Sequence, residues 1–190
     1  KSLSFFNGMF AFAVWDNKHR ELFLARDRYG IKPLYWSLKG NIFAFGSEIK
    51  AIFAHPDFDA EVDQKGLLEY FTFQNFFSQR TLFKDVSMFP AGHWGWLHVG
   101  DEKEFTPVQY WDFHFEEPAN PASKGEYVEE LDRLFQQAVN RQLVSDVEVG
   151  AYLSGGMDSG SITAIAAQEI PNIKSFTCGF DLHGVSQLEY

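Results

Sequence analysis

Residues 147–159 read VEVGAYLSGGMDS and decide the fold of the second half of the chain. The apolar stretch from Val147 to Leu153 predicts a strand, and the stretch from Ile162 to Gln168 predicts a helix. The turn between them contains adjacent glycines, which permit positive φ and a close approach of the backbone to a ligand. Backbone N–H groups in such a turn, with the partial positive charge at a helix N-terminus, favour an anion. The stretch therefore predicts a phosphate-binding strand, turn and helix.

The pattern of this turn separates it from other phosphate loops. No lysine follows the glycines, so the Walker pattern is absent, and the dinucleotide-binding pattern G-x-G-x-x-G is absent as well. The nucleophile elbow G-x-S-x-G fits neither serine of the turn. What remains is S-G-G-x-D-S over residues 154–159, which resembles the loop of the PP-loop ATP pyrophosphatases. A plain turn in which Ser154 or Asp158 caps the helix is the alternative.

The resemblance to the PP-loop enzymes implies a chemistry for the turn. Those enzymes cleave ATP between its α and β phosphates and release AMP and pyrophosphate. Their loop holds the pyrophosphate, and the aspartate that corresponds to Asp158 helps to hold Mg²⁺. A carboxylate beside phosphates is repelled unless a hard cation lies between them, which agrees with that role.

The composition excludes several classes of protein. Hydrophobic residues make up 45% of the 190 residues, enough for a packed core. The net charge of −10 argues against a nucleic acid or an anionic membrane as partner. No apolar run approaches about 18 residues and the start lacks signal-peptide character, so we expect neither a membrane span nor secretion. The single cysteine, Cys178, suits the cytoplasm, and the six histidines form no metal-ligand pattern.

Residues 1–115 contain apolar stretches joined by short turns, which predicts antiparallel hairpins. The stretch from Met9 to Asp16 is apolar on both faces, and we expect that strand to be buried on both sides. A further strand is expected from Trp94 to Val99. Arg26, Arg28 and Lys32 could form an anion site, but Asp27 and Glu48 lie nearby in sequence, which favours salt bridges within the sheet.

The chain changes character near residue 115. Residues 116–122 are rich in proline and alanine and predict a linker. Ser123 and Glu126 form a capping-box pattern, which predicts a long helix to about Leu143. Helix and strand then alternate, which predicts a parallel sheet and a second domain over residues 123–190, ending in a strand from Ile173 to Phe180.

Six groups of short motifs occur in the order in which the glutamine-dependent asparagine synthetases carry them, so the chain resembles that family over essentially its whole length. Several motifs in one order are more specific than the phosphate loop alone. The motifs are NGMFAFAVWD (7–16), ARDRYGIKPLYW (25–36), FGSEIKA (45–51), FPAG (89–92) with YW (110–111), SDV (145–147) before the loop and SFTCGF (175–180) after it.

This resemblance implies an α+β domain followed by an α/β domain. Residues 1–115 are expected to form the C-terminal part of an N-terminal-nucleophile glutaminase, a four-layer αββα sandwich. Residues 123–190 are expected to form the start of a parallel-sheet PP-loop synthetase domain. The phenylalanine-rich segment 71–89 suits core or domain-interface packing, with a role in lining a passage for ammonia as the alternative.

The resemblance also implies the reaction. Glutamine is hydrolysed in the first domain, and the ammonia passes through an internal tunnel to the second, where ATP adenylates aspartate and ammonia displaces AMP to form asparagine. ATP and Mg²⁺ are the implied cofactors, the partners are these small substrates, and a homodimer of the full-length protein is left open. The residues implied to contact ATP and pyrophosphate are Leu153, Ser154, Gly155, Gly156, Met157, Asp158, Ser159 and Cys178, with Asp158 at the metal.

The chain also departs from the family. Its glutaminase uses an N-terminal cysteine as nucleophile, whereas this chain begins at Lys1 and its only cysteine lies in the second domain. We therefore expect no catalytic residue here and interpret the chain as a fragment, cut at both ends and inactive alone. Within the loop, Met157 and Gly160 stand where the family usually has leucine and serine. A related ligase that amidates another carboxylate, similar to the β-lactam synthetases, and a non-catalytic remnant stay open as alternatives.

Overall fold

A computed structural model describes residues 1–98, 100 and 105–179 of the chain. The chain divides into two compact units, Lys1–Phe115 and Glu116–Tyr190. The fold is mixed α/β, with antiparallel sheets in the first unit. None of the described helices combines the length and the apolar character that a membrane crossing requires.

The first unit is built mainly from short strands joined by turns. A 3₁₀ helix covers Ser2–Phe5. The strands are β1 (Ala11–Asp16), β2 (Glu21–Arg26), β3 (Tyr35–Lys39), β4 (Ile42–Gly46), β5 (Ser87–Met88), β6 (His93–His98) and β7 (Val108–Gln109). The helices are α1 (Ile49–Phe53) and α2 (Gln64–Phe73). The expected strand at Trp94 is therefore β6, and Val99 lies outside the described residues.

The strands of the first unit form two antiparallel sheets. One has the order β1-β2-β6-β7 and the other the order β4-β3-β5. Apolar side chains from both sheets share one buried cluster, together with residues outside the strands. Its fully or nearly buried members are Leu24, Leu34, Phe89, Leu97 and Phe105, and Ala11, Leu22, Trp36 and Phe43 pack against it.

The expectation that the strand beginning near Met9 is buried on both sides is wrong. Val14 and Trp15 in β1 are 51% and 49% exposed. Among the described strands β1 pairs only with β2 at the edge of its sheet, and Val14 and Trp15, which project to opposite faces, leave both faces of this part of β1 exposed. Hydrophobic alternation could not reveal this, because a buried strand and an edge strand with two apolar faces have the same pattern.

Arg26 and Asp27 are buried, but the salt bridges expected for this region do not form. The Arg26 guanidinium donates to the carbonyls of Lys32 (2.8 Å), Phe89 (2.5 Å) and Gly30 (2.6 Å). The Asp27 carboxylate accepts from the amides of Phe10, Tyr29, Ile31 and Lys32 at 3.0–3.3 Å. Among the described residues neither Asp27 nor Glu48 forms a salt bridge with Arg26, Arg28 or Lys32. Glu48 pairs with Lys50 instead. Backbone groups of the turns satisfy both buried charges, as burial requires.

The phenylalanine-rich segment 71–89 has no single environment. Phe89 is fully buried in the core, whereas Phe71 and Phe77 are 74% and 76% exposed. Asp63 caps α2 by accepting from the amides of Lys65 and Gly66. The segment therefore combines a core position with largely exposed aromatic rings.

The second unit contains two helices and a small parallel sheet. α3 covers Lys124–Gln142, and the expected capping box between Ser123 and Glu126 is confirmed. β8 (Gly150–Tyr152) and β9 (Lys174–Phe176) pair in parallel, and α4 (Met157–Glu169) connects them.

The elements of the second unit differ in extent from the sequence expectation. β8 is shorter than the expected strand from Val147, because only its last residues find a partner in β9. α4 begins at Met157 rather than at Ile162, since the acidic Asp158 suits a first helical turn. The strand expected to end at Phe180 ends at Phe176, and Phe180 lies outside the described residues.

Candidate functional site

The carboxyl ends of β8 and β9 lie side by side and carry the two ends of the expected nucleotide site. The parallel register pairs Tyr152 with Phe176, and the Leu153 N–H donates to the Phe176 carbonyl at 2.9 Å. Leu153, directly after β8, therefore lies beside the segment after β9 that contains Cys178. Ligands of open α/β sheets bind at such carboxyl ends.

The turn from Ser154 to Gly156 has a conformation that requires glycine. Gly155 has φ +82°, in the region that L side chains rarely adopt, although no atom of the described residues lies within 4 Å of the place where a Cβ would stand. Gly156 is the N-cap of α4, and within the described part of the chain no side chain caps this helix end. Neither Ser154 nor Asp158 therefore caps the helix.

The N-terminus of α4 presents amides to the exterior. The Gly160 N–H donates to the Gly156 carbonyl at 3.0 Å, and this is the bond with which the helix begins. The amides of Met157, Asp158 and Ser159 precede it and belong to the first turn, which has no acceptors within the helix. Met157 is 85% exposed, and Asp158 lies on the same exposed turn. This end of α4 is thus an open helix terminus whose first-turn amides and dipole favour an anion, with the Asp158 carboxylate on the same turn.

Ser159 organises the turn through its hydroxyl group. Ser159 Oγ accepts from the Ser154 amide at 3.2 Å and lies 3.0 Å from Ser154 Oγ. The same oxygen donates to the Gly156 carbonyl at 3.1 Å. One hydroxyl can donate once and accept twice, so its capacity is fully used. The first and last serines of the motif are thereby joined across the turn.

Thr177 is a site residue that the sequence analysis missed. Its Oγ1 donates to the Leu153 carbonyl at 2.7 Å, across from β9 to β8. The signal in the sequence is weak, because a threonine after a strand is common and the bond spans 24 residues. The structure thus adds a side-chain connection at the base of the turn.

The turn itself offers few ligands for magnesium. Asp158 is the one carboxylate in residues 153–159. In the described part of the chain no cluster of three or more His, Cys, Asp or Glu side chains could hold a metal. Mg²⁺ is commonly held by one or two carboxylates plus substrate phosphates, so Asp158 suits one ligand position, and the amides of the turn suit the phosphates rather than the metal.

Two families of known proteins match the chain, one in each unit. Residues 1–111 match the family described as glutamine amidotransferase domain, and the chain belongs to that family. Residues 130–190 match the family described as asparagine synthase. The order of these two matches is the order predicted from the motifs.

The relatives make the class more specific. The chain is 46% identical over 162 residues to asparagine synthetase [glutamine-hydrolyzing] 3 of Bacillus subtilis, with 85% of this chain and 26% of the relative covered. It is 32% identical to asparagine synthetase [glutamine-hydrolyzing] 1 of the same organism, with 96% and 28% covered. It is also 32% identical to Amidase chyE of Penicillium rubens, with 94% and 28% covered. The predicted resemblance is confirmed, and the chain spans about a quarter of the length of these relatives.

Proposed function

We propose that the chain is part of an ATP-dependent asparagine synthetase that amidates aspartate with ammonia from glutamine and forms AMP and pyrophosphate. The observation that carries the proposal is the exposed turn between β8 and α4, with glycine-dependent geometry and free first-turn amides at the carboxyl end of a parallel strand pair. The similarity to glutamine-hydrolysing asparagine synthetases supports the identity of the substrates. We place the protein in the cytoplasm as a possible homodimer, without nucleic acid or membrane as partner.

In the proposed reaction the second unit begins a PP-loop domain and binds ATP. The amides of residues 155–159 hold the β and γ phosphates, since charge-assisted hydrogen bonds to backbone N–H groups are among the strong ones. Leu153 and Cys178 lie at the two strand ends and contact the adenosine portion. Asp158 would hold Mg²⁺, which neutralises charge on the leaving pyrophosphate. A carboxylate of aspartate becomes a good electrophile once AMP is its leaving group.

The first unit has the proposed role of part of a glutaminase sandwich. Its 115 residues contain no cysteine, since the chain's single cysteine is Cys178. We therefore propose that these residues supply sheet structure to the glutaminase and that the thiolate nucleophile comes from polypeptide outside residues 1–190. A dry passage between the two active sites would keep ammonia unprotonated and nucleophilic.

The proposal is tested by following products of the full-length protein that carries this chain. Sustained release of pyrophosphate and AMP should require ATP, aspartate and either glutamine or ammonium. D158N should lower ammonium-dependent pyrophosphate release by about two orders of magnitude and leave glutamate formation from glutamine unchanged. E169Q, at the other end of α4, is the matched control. Formation of ADP and phosphate in place of AMP would end the proposal.

A second candidate differs only in the acceptor acid. The similarity to Amidase chyE, at 32% identity, favours testing other carboxylates beside aspartate. In this case the phosphate turn and the products AMP and pyrophosphate are the same. Pyrophosphate release that depends on another acid and not on aspartate would select the second candidate.

A further inference from the structure

The connection between Thr177 and Leu153 has no part in the function proposed so far. Thr177 lies immediately after β9, and its hydroxyl donates to the carbonyl of the residue that leads β8 into the phosphate turn. Leu153 is also held by its own amide, which donates to Phe176. Both backbone groups of Leu153 are therefore bonded to the end of β9, so the direction in which the chain enters the turn is determined from the neighbouring strand.

The rest of the turn has little other support. Residues 154–158 are exposed, and none of the side chains that the structure describes caps α4. At the far end of the turn the Ser159 hydroxyl bonds the Ser154 amide and the Gly156 carbonyl. The shape of the turn is thus maintained by two hydroxyl groups, one at its entrance and one at its exit, together with the φ +82° of Gly155.

We propose that Thr177 is a positioning residue for the phosphate turn: it holds the Leu153 carbonyl so that the following amides converge before ligand arrives. The inference rests on the proposed function, because its consequence is for pyrophosphate binding. Preorganisation of this kind reduces the entropy that binding has to overcome. Thr177 itself does not touch the phosphates, since its hydroxyl hydrogen is used on Leu153.

The test uses three variants of the full-length protein with inorganic pyrophosphate and with ATP. T177V removes the hydroxyl but retains the shape of the side chain, and T177S retains the hydroxyl. T177V should weaken pyrophosphate binding about fivefold and raise KM for ATP by a similar factor, without change in KM for aspartate. T177S should bind as the unmodified protein does. T72V is the matched control, because Thr72 makes the same kind of bond, to the Leu68 carbonyl at 2.7 Å, within α2 of the first unit.

A ligand-free measurement separates this inference from the proposed function. Hydrogen exchange of the Leu153 and Ser154 amides should be several-fold faster in T177V than in T177S, while exchange within α2 is unchanged. If the unmodified protein does not bind pyrophosphate, the proposed function fails, and the exchange rates alone decide whether Thr177 positions the turn. Equal exchange rates in T177V and T177S would overturn the inference, and so would equal pyrophosphate affinities where the unmodified protein binds pyrophosphate.

Discussion

At the scale of single residues, Gly155 and Gly160 occupy contrasting positions within one short segment. Gly155 has φ +82° and cannot be replaced without strain, whereas Gly160 lies inside α4 with open space around a Cβ. The same substitution should therefore have opposite effects at the two positions. Alanine substitutions at these two positions therefore test the geometry of the turn.

Replacing Gly155 by alanine should distort the turn at a cost of about 1–2 kcal/mol, because a left-handed backbone is unfavourable for a residue with a Cβ. Replacing Gly160 by alanine should instead stabilise α4 by up to about 1 kcal/mol. Pyrophosphate affinity measured by calorimetry, with circular dichroism of the helix, checks both. A G155A variant with unchanged affinity would show that the turn does not depend on this backbone geometry.

Arg26 offers a second prediction at this scale. Burial lowers the pKa of its guanidinium, but the group still donates to three backbone carbonyls from one planar fork. Arg26→Lys should destabilise the first unit by roughly 2–4 kcal/mol, since an ammonium cannot reach all three acceptors. Arg20→Lys, at an exposed position, should change stability by less than about 0.5 kcal/mol. Tryptophan fluorescence during urea unfolding provides the comparison, and equal midpoints for the two variants would contradict it.

Hydrogen bonds between residues far apart in the chain could not be predicted from the sequence. The motif around Arg26 was visible in the sequence, but the carbonyl of Phe89 lies 63 residues away and the Thr177 bond spans 24 residues. Local patterns predict which residues are special, not which distant backbone groups they bond. Charge proximity in sequence suggested ion pairs, and the requirement to satisfy turn carbonyls and amides prevailed instead.

At the scale of elements, α3 is the best-predicted part of the chain. Its start follows from Ser123 and Glu126, whose bonds are local to one turn. β8 and α4 were less well placed, because a strand's extent depends on its partner and a glycine-rich turn can pass directly into a helix. Elements defined by local bonds are therefore predictable, and those defined by pairing are not.

The capping box yields a stability prediction. Ser123→Ala removes the acceptor for the Glu126 amide and should cost about 1 kcal/mol of the stability of α3. Ser123→Asp should restore most of it, because aspartate is also a favoured N-cap. Thermal unfolding followed by circular dichroism measures the difference, and an alanine variant as stable as the unmodified chain would exclude a role for the cap.

The same cap makes α3 sensitive to acid. Hydrogen bonds from the Ser123 backbone and side chain lower the pKa of Glu126. A carboxyl group whose pKa is lower in the folded than in the unfolded state stabilises the folded state. This stabilisation is complete above the unfolded pKa and is lost as the pH falls through the folded pKa. The helix should therefore lose stability on acidification, and Glu126→Gln should remove part of that pH dependence. Glu129→Gln on the same helix is the control, and indistinguishable pH profiles for the two variants would reject the prediction.

At the scale of the whole molecule, large apolar side chains remain exposed in both units. Phe71 and Phe77 of the first unit are about three-quarters exposed, and Tyr152 and Val144 of the second unit are 87% exposed. Isolated monomers rarely expose so many aromatic and aliphatic groups. We expect residues 1–190, expressed alone, to associate and to be poorly soluble.

Light scattering after size-exclusion chromatography tests that expectation. Phe71→Glu and Phe77→Glu should each reduce association, because they place charge on exposed apolar surface at little cost to folding. Phe89→Glu is the contrasting control and should prevent folding, because Phe89 is fully buried. If the unmodified residues 1–190 form a monodisperse monomer that unfolds cooperatively, the exposed apolar side chains do not cause association and the expectation is wrong.

The long-range bonds of Arg26 also have a kinetic consequence. Its guanidinium joins Phe89 across 63 residues, and its own carbonyl accepts from the Tyr110 hydroxyl across 84 residues. Closing the first of these loops supplies an acceptor to the buried guanidinium, and closing the second supplies a donor to the Arg26 backbone carbonyl. High contact order slows folding, and we expect the first unit to acquire its structure in about milliseconds to seconds, well after α3 has formed. The partly assembled state that precedes closure would be the species most exposed to chaperones and proteases.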